Sequence, residues 1–64
     1  MARDKLQKFR KSIHKTQAEM ANTWGITLSF YKKIEHGSRN PSIRKIRTFK
    51  KKFPEANTEE IFLS

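Results

Sequence analysis

Cysteine is absent from this 64-residue chain. That excludes the disulfide framework on which many small secreted domains depend, and with it any thiolate metal site. Valine is also absent, and glycine and proline occur only twice each, with no repeat and no low-complexity linker. No apolar run exceeds Ile61-Phe62-Leu63, far short of the roughly 20 residues of a membrane span. Met1-Ala2-Arg3-Asp4-Lys5 enters charged sequence without the apolar core of a signal peptide, so a cytoplasmic protein is expected. A chain this short makes one domain, residues 1–64, that buries only about 60% of the surface its unfolded form exposes. It has no room for a cleft between two domains or for a doubly wound nucleotide-binding fold.

Acid is the scarcer charge. Fifteen Lys and Arg face six Asp and Glu, a net charge of +9. The distribution is uneven. Residues 1–53 hold all 15 bases and three acids (Asp4, Glu19, Glu35), net +12, whereas residues 54–64 hold Glu55, Glu59 and Glu60, net −3. Surfaces that serve solubility mix signs. A basic body with an acidic tail is the composition of a polyanion binder, although composition does not choose among DNA, RNA and an anionic membrane.

Lys, Arg, Ala, Gln and Glu are plentiful, which favours an all-α fold. Leu6, Phe9 and Ile13 fall on one side of a helix over about 4–12, with Asp4 suited to the dipole of its first turn and Arg10 inside the apolar stripe. Thr16-Gln17-Ala18-Glu19 reads as a capping box that opens a helix over 16–24. Met20, Ala21 and Trp24 form its buried side, and Gly25 ends it. Thr27 caps the next helix, 27–36, with Tyr31 and Ile34 inward and Gly37 as its terminator. Pro41-Ser42 opens a fourth, 42–53, with Ile43, Ile46, Phe49 and Phe53 on one side, and Pro54 stops it. Asn57-Thr58-Glu59-Glu60 caps a short turn, 58–63.

Two short helices joined by a turn centred on glycine, in a basic domain, are the elements of a helix-turn-helix. At about 100° per residue, with Tyr31 at zero, Ile34 and Glu35 flank it and Ser29, Lys33 and His36 lie opposite, with Lys32 at their edge. Thr27 and Leu28 form the tip. Such a surface suits a major groove: Lys reaches guanine O6 and N7, Ser donates or accepts, and Leu meets a thymine methyl.

Thr16-Gln17 through Trp24-Gly25, then Thr27-Leu28-Ser29-Phe30-Tyr31-Lys32-Lys33-Ile34-Glu35-His36-Gly37 and Arg39-Asn40-Pro41-Ser42, resembles the XRE or Cro/C1-type helix-turn-helix of phage and bacterial repressors. The resemblance runs from residue 4 to about 62, and Ile-Glu-His-Gly…Asn-Pro-Ser is its most specific part. It implies a four- to five-helix lambda-repressor-like bundle that binds double-stranded DNA as a transcriptional regulator. It also implies base contacts from Thr27, Leu28 and Ser29, with Lys33 a turn further on, and phosphate contacts from Thr16, Gln17, His36, Arg39 and Asn40. Phosphate contacts fix register and base contacts specify. Where some relatives carry Gln or Arg, this chain has Leu28, so specificity rests on a thymine methyl or shifts to Ser29, Lys32 and Lys33. Arg47 and Lys50 stand where relatives are usually aliphatic or Ala.

Several features have structural readings. Arg10 and Glu35 both project from inward stripes, and the family pairs an Arg of the first helix with the Glu of the third; the pair is read as structural. Trp24, Phe49 and Phe53 are read as core, Phe30 as either packed or along DNA, and Lys50 as a packed stem with its ammonium snorkelling out. Ile61, Phe62 and Leu63 are read as shared between the core and a dimer seam. His14 and His36 are too isolated to ligate a metal. No cofactor, metal, membrane or small-molecule ligand is expected, and no nucleophile-base set or paired carboxylates indicates an enzyme. The expected partner is duplex DNA, bound by a homodimer on a two-fold operator in a bacterial or phage-encoded, nucleoid-associated setting. The rival readings are an antitoxin-type protein-interaction module docking through the acidic, apolar tail, and a basic RNA-binding protein.

Overall fold

The computed structural model describes residues 2–63. Four α-helices, α1 (Asp4–Ser12), α2 (Gln17–Trp24), α3 (Leu28–His36) and α4 (Ile43–Lys52), precede a terminal π-helical turn, Glu59–Leu63, and no strand occurs among the described residues.

Local side-chain chemistry sets the starts. Thr16 Oγ1 accepts from the Glu19 amide at 3.1 Å while Glu19 Oε1 accepts from the Thr16 amide at 2.8 Å, a reciprocal capping box. Thr27 Oγ1 accepts from Phe30 N at 3.1 Å, Ser42 Oγ from Lys45 N at 3.3 Å, and Asn57 Oδ1 from Glu60 N at 3.1 Å. Helices α2, α3 and α4 therefore begin one residue inside the ranges expected from sequence. Thr16, Thr27 and Ser42 have extended backbones and serve as caps. Gly25 (φ +86°) and Gly37 (φ +93°) end α2 and α3 in the left-handed conformation. After α1 the chain turns at His14, a non-glycine residue at φ +56°, in the left-handed region that His visits more readily than most residues.

Each helix turns one apolar side to a common centre. Leu6, Met20, Tyr31, Ile34, Phe49 and Ala56 are fully buried, with Phe53 and Ile61 close behind. Trp24 joins the layers: its ring lies 6.1 Å from Tyr31 of α3, 4.8 Å from Phe49 of α4 and 5.7 Å from Phe62 of the terminal turn. Its Nε1 donates to the Lys45 carbonyl at 2.8 Å, so a helix interior supplies the partner that a buried indole N–H requires. Phe9 closes the opposite side against Phe49 and Phe53.

Two residues of α4 differ from expectation. Ile43 is 55% exposed; it occupies the first turn of α4, about 120° round from Phe49, and Pro41 is buried at this end of α4 instead. The Lys50 ammonium does not run free into solvent. It donates to the carbonyls of Pro54 and Ala56 at 2.8 and 2.7 Å, fastening the chain that leaves α4. The folded domain measures 23 × 23 × 21 Å.

Candidate nucleic-acid interface

Gly25, Ile26 and Thr27 separate α2 from α3, and this short turn fixes one helix against the other. Tyr31 and Ile34 anchor α3 inward. Glu35, only 5% exposed, is the polar centre of the same side. Its carboxylate accepts four hydrogen bonds: from Arg10 Nε at 3.0 Å and Nη2 at 3.3 Å, from Gln17 Nε2 at 3.0 Å and from Tyr31 Oη at 2.8 Å. Arg10 also donates to the Lys15 carbonyl at 3.0 Å. Every acceptor site of Glu35 is thus occupied, and α1, α2 and α3 meet at one charge.

Burial alone would raise the Glu35 carboxyl. The hydrogen bonds from Arg10, Tyr31 and Gln17, with the Arg10 charge, outweigh it and hold the group below its ordinary value. Conversely, the hydrogen bond from Arg10 to Glu35 keeps the guanidinium above its own. Burial first, and then the bond to Glu35, pushes the Tyr31 hydroxyl upward. At neutral pH the cluster is one carboxylate, one guanidinium and two neutral donors.

The outward side of α3 is bare. Thr27, Leu28, Ser29, Lys32, Lys33 and His36 are all exposed, Leu28 at 38%. Beside the helix runs an open groove of about 710 Å³, bordered by Gln7, Gln17, Lys32, Lys33, His36 and Ser38.

The residues expected at phosphates differ in what they have free. Arg39 and His36 are exposed, and their side chains have no partner among the described residues. Thr16 spends its amide on Glu19, so its hydroxyl hydrogen is what it has to offer. Gln17 gives one amide hydrogen to Glu35 and retains the other. Asn40 Oδ1 accepts from Arg3 Nη2, which leaves its amide N–H groups. Ile61 is buried, Phe62 packs on Trp24 and Phe49, and Leu63 is 60% exposed. Phe30 lies half-buried on the flank of α3, with Lys45 Nζ 5.7 Å above its ring.

Sequence reasoning missed two supporting residues. The Tyr31 hydroxyl could have been found from its i, i+4 spacing to Glu35. Arg3 carries no such signal. Its amide donates to the Glu35 carbonyl at 2.8 Å, its guanidinium reaches Asn40, and it lies 5.8 Å from the Phe62 ring centre. Those contacts span more than thirty positions of sequence and exist only once the bundle closes.

No described helix is long and apolar enough to cross a membrane. A family model described as Helix-turn-helix matches residues 6–52. The cryptic phage CTXphi transcriptional repressor RstR of Vibrio cholerae serotype O1 is 43% identical over 44 residues, 69% of this chain and 39% of that protein. This chain therefore spans about two fifths of the length of that curated relative. No solved structure matches significantly. The matched region contains the capped α2, the glycine turn and α3 with its bare outward side, and the chain belongs to the helix-turn-helix family of the XRE/Cro-C1 type, DNA-binding domains of transcriptional regulators.

Proposed function

We propose that residues 1–64 act as one DNA-binding unit that represses transcription by occupying an operator, with α3 in the major groove. One observation carries the reading. The inner side of α3 is locked by Tyr31, Ile34 and the four bonds to Glu35, while Ser29, Lys32, Lys33 and His36 remain exposed on the other. A rigid helix with an unspent polar side is what groove reading requires. Thr27, Leu28, Ser29, Lys32 and Lys33 read bases; Thr16, Gln17, His36, Arg39 and Asn40 hold phosphates. The RstR relative is a transcriptional repressor, and the same role is proposed for this chain. The protein acts where the DNA is, in the cytoplasm at the nucleoid, and performs no chemistry.

Exposed Leu63 is the part of the terminal cluster left for a second copy, because Ile61 and Phe62 serve the core. A two-fold dimer places half-sites one turn apart, about 10–10.5 base pairs centre to centre. The same burial takes from the protein-docking alternative two of its three apolar tail residues.

Selection of bound sequences from a random duplex pool, followed by a base-substitution scan, tests the assignment. Lys33→Ala should relax preference at one position. Arg39→Ala should weaken all sequences alike and lower the salt slope by about 1. The reverse pattern rejects the roles, and a protein that prefers no duplex rejects the reading.

A further inference from the structure

Between Ile43 and Pro54 the chain carries Arg44, Lys45, Arg47, Lys50, Lys51 and Lys52 and not one acid. Two of these have internal uses: Lys50 holds the carbonyls of Pro54 and Ala56, and Lys45 lies over Phe30. Arg44, Arg47 and Lys51 form a different set. Spaced i, i+3 and i+7, they fall within about 40° of the direction opposite Phe49. All three are exposed, and among the described residues no ion pair or hydrogen bond engages their side chains. Like charges at these spacings repel and weaken a helix. A ladder of three with no compensating carboxylate is a cost that the fold itself does not offset.

The exposed side of α3 lies opposite Tyr31 and the ladder opposite Phe49. Both anchoring rings pack on Trp24, Tyr31 at 6.1 Å and Phe49 at 4.8 Å, so each set faces outward from that shared centre on its own helix. The ladder spans about 10 Å along the helix, the rise of about three nucleotides on one strand. Arginine suits phosphate because its planar fork donates two parallel bonds. A membrane surface would instead need the apolar side of α4, and that side is buried through Phe49 and Phe53.

We propose that Arg44, Arg47 and Lys51 form a second, sequence-independent surface for duplex DNA, so that a domain holding one duplex through α3 grips another segment through α4. The inference rests on the reading of α3 given above, and its test separates the two. Binding to a selected operator duplex is measured first, by anisotropy. Energy transfer is then followed between that duplex, labelled with a donor, and a second duplex that lacks the operator and carries an acceptor.

Wild-type protein should bring the two together. Arg47→Gln/Lys51→Gln should cut the transfer about tenfold, as expected for two lost charge-assisted phosphate contacts, while operator affinity changes by less than about threefold. The charge-matched control Lys8→Gln/Lys11→Gln, on exposed positions of α1, should keep both. Helical circular dichroism establishes that each variant is folded. Equal loss in both variants would mean diffuse charge alone and overturn the ladder. So would transfer that survives in the α4 variant, which would trace bridging to paired protomers, or loss of operator affinity in step with transfer, which would put α4 on the same duplex. Operator binding without any transfer in the wild type would overturn the second surface and leave α3 standing. Absence of operator binding at the first step would instead refute the reading of α3 and, with it, this one.

Discussion

Glu35 has a full set of donors, and the consequence lies in what happens when one member goes. A buried pair adds little net stability against an apolar substitute, but breaking one strands the survivor at about 3–5 kcal/mol. Glu35→Ala leaves Arg10, Gln17 and Tyr31 without their common acceptor. It should destabilise the domain by about 3 kcal/mol, whereas Lys33→Ala on the bare side should stay within about 0.5 kcal/mol. Thermal melts of the two variants decide this, and equal small losses would refute the cluster. The pH dependence has a definite sign. The Glu35 pKa is lower folded than unfolded, so its contribution is complete above the ordinary value of 4.5 and is lost as pH falls through the folded value. Melting temperature should therefore fall less steeply with acid in Glu35→Gln than in the wild type, the other carboxylates being common to both.

At the scale of the element, the turn between α2 and α3 decides whether the motif forms. Gly25 sits at φ +86° with open space where a Cβ would go, so a substitution there costs through the backbone alone. Gly25→Ala should lose about 1 kcal/mol or slightly more. Gly25→Asn should lose less, because Asn tolerates the left-handed region. Denaturant midpoints compare them, and an alanine as stable as the parent would deny the turn its role. This turn was legible in the sequence, as were the caps at Thr16, Thr27 and Ser42, because each depends on residues within three positions of one another. The bare side of α3 was legible for the same reason: helical spacing alone puts Ser29, Lys33 and His36 opposite Tyr31. What was not legible depends on distance along the chain. Ile43 matches the periodicity of the α4 stripe, but whether that stripe reaches the core at its first turn is set by the angle of approach. Lys50 looked like a snorkelling cation because nothing local shows that Pro54 and Ala56 turn their carbonyls back to it. Of the candidate site, the residue types were readable; that Gln17 and Asn40 spend part of their hydrogen-bonding capacity inside the fold was not.

For the molecule as a whole, no helix stands apart from the others. Trp24 touches side chains of α3, α4 and the terminal turn and bonds to the α4 backbone, while Lys5 and Glu60, 3.3 Å apart, link α1 to the same turn at the surface. The exposed ion pair adds little; the shared aromatic centre supplies the cooperativity. Unfolding should accordingly be a single transition. Trp24 is the chain's one tryptophan, and at 2% exposure it gives the protein an internal optical gauge. Its emission should be blue and resistant to acrylamide while the bundle is closed, should shift red along the same melting curve as the helical ellipticity, and should stay unquenched when a ligand docks on the far side of α3.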